Sequence, residues 1–348
     1  MYSCLRLFKS TNSCLVSWSF NFQPLWYFVL SGTILYQVGK QGNGKTFRLA
    51  NPYLTEKETL YHLGISTDDN LQQRFGDVKF VCLGGKSKRM QNFANLLYTD
   101  LGCPENSEYE DATLPPGDRT LRDLSGSAGR YSMFKVGPVL SANHGIGPAS
   151  LSVVLHELLK LIHFARCTDV TFIRIGTSGG LGLDPGTVVI TDKAYNGLLK
   201  PVYTQVACGK AIDYPTSTHP EVRTKLHECA LSVTSQSVIG NTLSANDFYE
   251  EQARLDGALC SYSEEEKNAF IQKAHDIHGI KNMEMESTCF TAMCTRAGVK
   301  CGVICVALVD RLVRDNVTGV KGTGIGCQLK EWEMLPQIIC SKYIKESL

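Results

Sequence analysis

The sequence predicts an α/β sandwich, because short apolar strands alternate along the chain with amphipathic helices. The clearest unit is a strand over residues 131–140, a helix over residues 150–165 and a second apolar strand over residues 170–175. Leu151, Val154 and Leu158 share one side of that helix, which is the side that would pack on a sheet. Strand, helix and strand in this order indicate a right-handed crossover within one sheet.

Three elements and a loop are predicted before this unit. A helix over residues 55–63 is predicted because Thr55 can cap its first turn and acidic residues follow. A compact apolar strand over residues 78–83 then leads through two glycines into a helix over residues 90–101. Residues 103–129 are polar and contain Pro115-Pro-Gly117, so they are predicted to form a surface loop or lid.

The elements after the unit continue the alternation. They are a strand over residues 187–191, a helix over residues 218–233, a strand over residues 237–243, helices ending near Gly279 and Gly298, and an apolar strand over residues 302–309. The chain contains no internal repeat and no low-complexity linker. A single domain over residues 51–348 is therefore expected.

The composition is that of an ordinary globular protein, with 43% hydrophobic and 20% charged residues among 348. A formal net charge of +1 gives no electrostatic reason to expect nucleic acid or an anionic membrane as a partner. The 14 cysteines are scattered among core-like segments without a CxxC pair or a neighbouring histidine cluster. Reduced thiols in a cytoplasmic protein without a metal site are the expectation.

Residues 1–50 are the least regular part of the chain. Residues 16–35 are rich in apolar side chains, but Ser17, Asn21 and Pro24 interrupt the run, so it falls short of a membrane span. We expect an atypical, poorly ordered N-terminal extension.

A phosphate-binding loop motif lies at the end of that extension. Residues Gly39 to Thr46 match GxxxxGK[ST] and would make the chain a nucleoside triphosphatase. Such a loop must open a helix, yet Pro52 follows within six residues of Thr46 and disfavours one. The triphosphatase is kept as the unfavoured alternative.

Two glycine-rich segments are candidates for binding an anion. Arg174 lies near the end of an apolar strand, and a predicted turn of glycine, threonine and serine residues follows it. The second segment places Gly85 and Arg89 between a strand and a helix, where backbone N–H groups can face an oxyanion. Taken alone, each segment is equally compatible with a structural arginine beside an ordinary turn.

Several separated motifs resemble those of one family. Ile173-Arg-Ile-Gly-Thr-Ser-Gly179, Asp247-Phe-Tyr-Glu-Glu-Gln-Ala-Arg254 and Asn282-Met-Glu-Met-Glu-Ser287 are similar, in this order, to signatures of the animal-type uridine phosphorylases in the nucleoside phosphorylase family. The resemblance spans residues 51–312. It implies a three-layer α/β sandwich with a central mixed β-sheet flanked by helices.

The resemblance also implies a binding site. The implied phosphate-binding residues are Gly85, Arg89, Arg130, Arg174 and Thr177, with Arg130 donated by a neighbouring subunit. The implied nucleoside-binding residues are Met285, Glu286 and the partner subunit's His62 around the ribose, and Phe248, Gln252, Arg254, Leu308 and Val309 around the base. Arg254, Gln252 and Glu286 are the implied catalytic residues, and Arg311 is expected to support them.

The implied reaction is the reversible phosphorolysis of uridine to uracil and ribose 1-phosphate, in pyrimidine salvage and catabolism. It needs inorganic phosphate as a co-substrate but no metal or organic cofactor, and the implied assembly is a homodimer. Two segments depart from the family pattern, the loop over residues 103–129 and the region after Arg311. A catalytically weak nucleoside-binding paralogue is the second alternative, and the presence of Gln252, Arg254 and the three implied phosphate-binding arginines argues against it.

Overall fold

The computed structural model describes the backbone of residues 9–10, 13–14, 29–30, 33–34, 46–49, 51–115, 118–125, 128–317 and 325–348. These residues form sixteen strands, seven α-helices and one short 3-10 helix at Thr67–Asp69. The strands are β1 (Lys9–Ser10), β2 (Ser13–Cys14), β3 (Val29–Leu30), β4 (Thr33–Ile34), β5 (Thr59–Leu60), β6 (Ile65–Ser66), β7 (Phe80–Gly84), β8 (Met133–Val136), β9 (Val139–Asn143), β10 (Thr171–Gly180), β11 (Val188–Tyr195), β12 (Val202–Ala207), β13 (Lys210–Pro215), β14 (Ser237–Ser244), β15 (Ile280–Glu284) and β16 (Lys300–Asp310). The helices are α1 (Leu71–Phe75), α2 (Ser87–Asp100), α3 (Gly147–Phe164), α4 (Pro220–Val233), α5 (Glu264–His278), α6 (Ser287–Ala297) and α7 (Ile325–Ser347).

The central sheet has eight strands in the order β15-β14-β11-β16-β10-β7-β9-β8. Strands β16, β10, β7 and β9 run parallel to one another, whereas β11 is antiparallel to β16 and β8 is antiparallel to β9. Strand β15 pairs in parallel with β14 and also antiparallel with the end of β10, where Gly179 faces Met283 and Gly180 faces Asn282. Five strands therefore form a closed ring, and β7, β9 and β8 continue the sheet from β10.

Helices cover both faces of this sheet. One buried core joins the sheet to α1, α3 and α6, and a second core joins it to α2, α4 and α7. Successive residues of one strand enter different cores, as Phe172 belongs to the first and Ile173 to the second. This alternation follows from the two-residue period of a strand. The predicted three-layer α/β sandwich with a mixed sheet is confirmed.

Three local predictions are wrong. Residues 55–63 do not form a helix, because the Thr55 hydroxyl donates to the Lys57 carbonyl at 2.7 Å in a local turn, and the hairpin β5–β6 follows. The strand predicted over residues 131–140 is two antiparallel strands, β8 and β9, since Gly137 adopts a left-handed conformation (φ 50°) between them. The small residues after Ile175 form no turn, because β10 continues extended to Gly180.

The chain divides into two compact units, residues 1–38 and residues 39–348. In the first unit the described residues form the two-stranded hairpins β1–β2 and β3–β4. Most of the phosphate-binding loop motif, residues 39–45, lies outside the described residues. Thr46 pairs as an isolated bridge with Thr168, and the buried Phe47 donates its N–H to Cys167 O at 2.8 Å. The chain therefore leaves the motif in an extended conformation and not in a helix.

Among the helices in the described ranges, none combines the length and apolar character needed to cross a membrane.

Candidate functional site

The carboxyl ends of the parallel strands of the sheet meet around Arg174 of β10. Gly85 follows β7, His144 follows β9 and Arg311 follows β16, while the glycine-rich half of β10 lies between them. Carboxyl ends of adjacent parallel strands share one edge of a sheet, so these residues from distant parts of the sequence become neighbours.

Arg174 is the central cation of this region and is only 3% exposed. Its Nη1 lies 2.8 Å from Glu284 Oε2, and its Nη2 contacts Glu286 Oε2. Burial alone would lower the pKa of Arg174, but the two carboxylates outweigh it and raise that pKa. Arg174 is therefore a fixed positive charge held in place by two anions.

The antiparallel pairing of β15 with β10 explains why both carboxylates reach Arg174. Beyond the Asn282–Gly180 and Met283–Gly179 pairs, the chain of β15 runs back along β10 towards Arg174. Glu284 also accepts from the backbone N–H groups of Glu286 and Ser287 at 3.0 Å each. Glu286 accepts from the N–H of Gly147 at 2.7 Å, which ties it to the start of α3.

The pKa values of the Glu284 and Glu286 carboxyl groups shift in opposite directions. Burial raises the pKa of Glu284, and Glu286 nearby adds to the rise while Arg174 opposes it. For Glu286 burial also favours the neutral form, but Arg174, His144 and the Gly147 N–H together lower its pKa. Glu286 is therefore the ionised hydrogen-bond acceptor of the pair at neutral pH.

The first glycine turn lies beside this cluster. A side chain at Gly85 would meet the carbonyl oxygen of Gly145 at 3.2 Å and His144 Cε1 at 3.9 Å. Arg89 is buried on the first turns of α2, and its Nη2 lies 3.4 Å from Glu333 Oε2 of α7. Arg89 Nε has no hydrogen-bond partner among the described residues. The turn thus presents a second buried arginine that is only partly neutralised.

A separate group of residues surrounds Arg254. Its guanidinium group donates from Nε and Nη2 to the two oxygens of Asp256 at 2.8 and 2.7 Å, and from Nη1 and Nη2 to Asp315 O and Asn316 Oδ1 at 3.0 and 2.9 Å. The guanidinium carbon also lies 4.5 Å from the ring centroid of Phe248. Four of the five N–H donors of Arg254 therefore make hydrogen bonds to its own loop and to the loop after β16.

Arg311 connects the Arg254 group to the strands that hold Arg174. Its Nη2 donates to the backbone carbonyl of Gln252 at 2.8 Å, and its Nε lies 3.1 Å from Asp315 Oδ1. A side chain at Gly179 of β10 would come within 2.7 Å of Arg311 Cγ. Glycine at position 179 therefore allows the stem of Arg311 to cross β10, and the same side chain fixes the loop of the buried Gln252.

Four other predicted residues line the same edge of the sheet. Thr177 and Leu308 are half-buried on β10 and β16, and Val309 is buried with a methyl group 3.8 Å from the position of a side chain at Gly179. Met285 Cε lies 4.0 Å from the position of a side chain at Gly147. These residues supply apolar and hydroxyl surface between the two arginine groups.

His62 and Arg130 are not brought to this region within one chain. His62 Nδ1 lies 2.6 Å from Glu157 Oε1, and its ring contacts that of Tyr131 at 6.4 Å between centroids. Arg130 is exposed next to Tyr131 and makes no ion pair with the described residues. The two residues therefore lie near each other on the surface of the chain.

Several residues that shape the site were missed by sequence reasoning. Glu284, His144 and Asp256 were not assigned roles, although Glu284 lies within a quoted motif and Asp256 lies just after one. Their contacts depend on how strands pair and loops fold back, which residue spacing does not reveal. The sequence signal for Glu284 was its two-residue spacing from Glu286, which places both side chains on one face of an extended segment.

The arrangement suits an anionic ligand beside a hydroxylated one. Arg89 is a buried arginine with incompletely neutralised charge that can attract an oxyanion, and the ionised Glu286 carboxylate can accept hydrogen bonds from hydroxyl groups. Within the described ranges, no group of three or more histidine, cysteine, aspartate or glutamate side chains is arranged to hold a metal ion.

Comparisons with known proteins agree with this chemistry. Residues 79–322 match the model of the phosphorylase superfamily. A human relative, uridine phosphorylase 2, is 43% identical over 310 residues, covering 88% of this chain and 92% of that protein. A Schistosoma mansoni relative described as inactive uridine phosphorylase B is 37% identical, covering 86% of this chain and 96% of its own. The crystal structure of isoform 2 of uridine phosphorylase from Schistosoma mansoni with citrate superposes with a TM-score of 0.78 and 36% identity, covering 86% and 98% of the two chains.

The Arg174 cluster predicts a large stability loss for Arg174→Met. Without the guanidinium group, Glu284 and Glu286 become adjacent buried carboxylates, and we expect the free energy of unfolding to fall by about 3–5 kcal/mol. Urea unfolding followed by tryptophan fluorescence measures the loss. Arg223→Met is the control, because the Arg223–Asp192 pair is more exposed and should be worth less than about 1 kcal/mol. Equal losses in the two variants would contradict this account of the cluster.

Proposed function

This chain belongs to the phosphorylase superfamily, and we propose that it is a uridine phosphorylase, which converts uridine and inorganic phosphate reversibly into uracil and ribose 1-phosphate. The observation that carries the proposal is the junction of two arginine groups, one buried beside two glycine segments and one on the loops next to Phe248. The first group matches a phosphate dianion and the second a planar pyrimidine.

Phosphate would bind between the two glycine segments. Arg89 and Arg174 supply buried positive charge, Gly85 lets the backbone approach the oxyanion closely, and Thr177 adds a hydroxyl donor. Arginine suits this role because its guanidinium group stays charged and presents several N–H groups in one plane.

Ribose would bind between the phosphate and the base. Glu286 is fixed by the Gly147 N–H and by Arg174, so its carboxylate is ionised and can accept from ribose hydroxyl groups. The Met285 side chain near Gly147 would cover an apolar part of the sugar.

Uracil would bind beside Phe248, Gln252 and Arg254. The Gln252 amide can donate and accept at once, which complements the imide edge of uracil. The fifth N–H of Arg254 remains available after its four bonds to the loops and would donate to a carbonyl oxygen of the base. Leu308 and Val309 would contact the ring from β16.

Catalysis would follow from placing phosphate on one side of the ribose and the Arg254 and Gln252 side chains at the base on the other. Cleavage of the glycosidic bond develops positive charge on the ribose and negative charge on the departing uracil. The bound phosphate offsets the first charge while it attacks from the opposite face, and Arg254 with Gln252 stabilises the second. Both partners of the transfer are substrates, so the proposed reaction needs phosphate but no metal or organic cofactor.

The proposed assembly is a cytoplasmic homodimer built on a single domain over residues 51–348 and serving pyrimidine salvage and catabolism. The exposed Arg130 and the half-buried His62 lie near each other and make no contact with Arg174, which is the placement expected of residues that complete a partner's site. Arg130 would then reach the partner's phosphate, and His62 the sugar of the partner's nucleoside.

The proposed activity is tested by following the absorbance of uridine with and without phosphate. Phosphate-dependent release of uracil is expected from the wild-type protein. Its absence, with uridine still bound, would favour the weak nucleoside-binding paralogue, for which the inactive Schistosoma mansoni relative is a precedent.

Arg254→Ala should lower kcat/KM for uridine by about 100-fold, because the departing base loses its positively charged donor. The exposed Arg314 lies in the adjoining loop, and Arg314→Ala should stay within about twofold of the wild type. Steady-state rates over a range of uridine concentrations give kcat/KM for the two variants and the wild type. An undiminished rate of uracil release in Arg254→Ala would remove Arg254 from the site.

Glu333→Gln should lower the KM for phosphate by about two- to fivefold. The Glu333 carboxylate lies 3.4 Å from Arg89 and competes with a dianion for that guanidinium group. Glu331→Gln is the matched control, since Glu331 is exposed on the same helix. A higher phosphate KM in Glu333→Gln would instead mean that Glu333 is needed to position Arg89.

Two inactive variants should restore each other if Arg130 crosses to a partner subunit. In a hybrid dimer of Arg130→Ala and Arg89→Ala chains, one of the two sites regains both arginines. Random exchange of subunits should then recover about a quarter of the wild-type activity. A mixture of Arg89→Ala and Arg254→Ala chains should recover no activity. Each of these residues serves the site of its own chain, so both sites of the hybrid dimer stay defective. No recovery in the first mixture would exclude the shared site.

A further inference from the structure

His144 is a buried imidazole whose polar atoms are unused. The residue is 1% exposed, and neither Nδ1 nor Nε2 has a hydrogen-bond partner among the described residues. The Gly145 carbonyl is close enough to favour ring protonation, but it makes no hydrogen bond of normal geometry to either nitrogen. A buried polar group without a partner costs free energy, so such a side chain calls for an explanation.

The surroundings of His144 are those of the proposed phosphate site. Its backbone N–H donates to Gly84 O at 2.8 Å, which ties the end of β9 to the end of β7. Its ring lies beside Gly85, 3.9 Å from the position of a side chain there. The ionised groups that act on the ring are Glu286, Arg174 and Arg89, all of them from the same cluster. The imidazole therefore lies within electrostatic reach of both arginines and next to the glycine that would face the oxyanion.

The ring is neutral at physiological pH. Burial lowers the pKa of His144 to about 4; Glu286 opposes this shift, whereas Arg174 and Arg89 add to it. A neutral imidazole has one N–H donor and one nitrogen acceptor, whereas the arginines can only donate. Monohydrogen phosphate carries acceptor oxygens and one hydroxyl, so it can pair with either nitrogen of the ring.

We propose that His144 hydrogen-bonds directly to the bound phosphate and is a further substrate-binding residue of this site. The inference rests on the proposed function for the identity of the anion. The contact adds a neutral, directional bond to the charge of the arginines, and it explains why a polar ring is buried there without a protein partner.

The experiment measures phosphate binding without any nucleoside, through the rise in unfolding temperature that inorganic phosphate causes. His144→Phe fills the space without a polar atom and should raise the phosphate dissociation constant about tenfold, as expected for a lost hydrogen bond to a charged group. His144→Gln restores a donor and an acceptor and should stay within about threefold of the wild type. His144→Met is a second apolar variant for use if the phenylalanine variant does not fold.

His219→Phe is the matched control. The His219 ring also has a buried nitrogen without a partner, but it lies at the start of α4, where its N–H donates to Cys301 O. Its removal should leave phosphate binding within about twofold of the wild type. A folded apolar variant of His144 with wild-type phosphate affinity would overturn the proposal, as would a glutamine variant that binds no better than the phenylalanine variant.

Kinetics separate this proposal from the proposed activity. In the apolar variants, the KM for phosphate should rise while the KM for uridine changes little. If the wild-type chain binds phosphate but does not cleave uridine, the proposed activity fails and the binding measurements still decide the role of His144. If uridine is cleaved and the variants keep their phosphate affinity, the activity stands and His144 is only structural.

Discussion

The antiparallel return of β15 onto β10 is the constraint on which the rest of the structure depends. It closes five strands into a ring, and at this pairing Gly179 leaves room for the stem of Arg311. The same pairing delivers Glu284 and Glu286 to Arg174 and allows the cation to remain buried. Isolated buried charges are costly, so this arginine can be retained only with its carboxylates in place.

The two halves of the candidate site differ in how they are held. The Arg174 half is formed by strand ends and is buried, with hydrogen bonds from the backbone of β15 and α3. The Arg254 half is carried by loops, and the ion pairs of Asp256 and Asp315 hold it together. In the proposed function, a rigid half for phosphate beside a loop-built half for the base fits a common anion with a base that must enter and leave.

The sequence was sufficient for the fold class, because short apolar strands alternate with amphipathic helices such as α3. It was also sufficient to single out Arg174 and Arg254, since both lie in motifs that resemble one family. It failed at residues 55–63, where capping chemistry in a local turn imitated a helix start. It failed again after Ile175, because glycines that indicate a turn also occur where one strand must pass close to another. His144 and Glu284 acquire meaning only from strand pairing across distant segments.

Arg89 belongs to α2, a helix that packs against α7. Met90 and Phe93 of α2 share a core with Ile339 and Ile344 of α7, and the Ser341 hydroxyl donates to Asp100 at 2.5 Å. Helix α7 follows α2 by most of the length of the domain, so it is synthesised long after α2. The packing of α2 against α7 behind this arginine therefore cannot form on a nascent polypeptide until α7 has emerged from the ribosome.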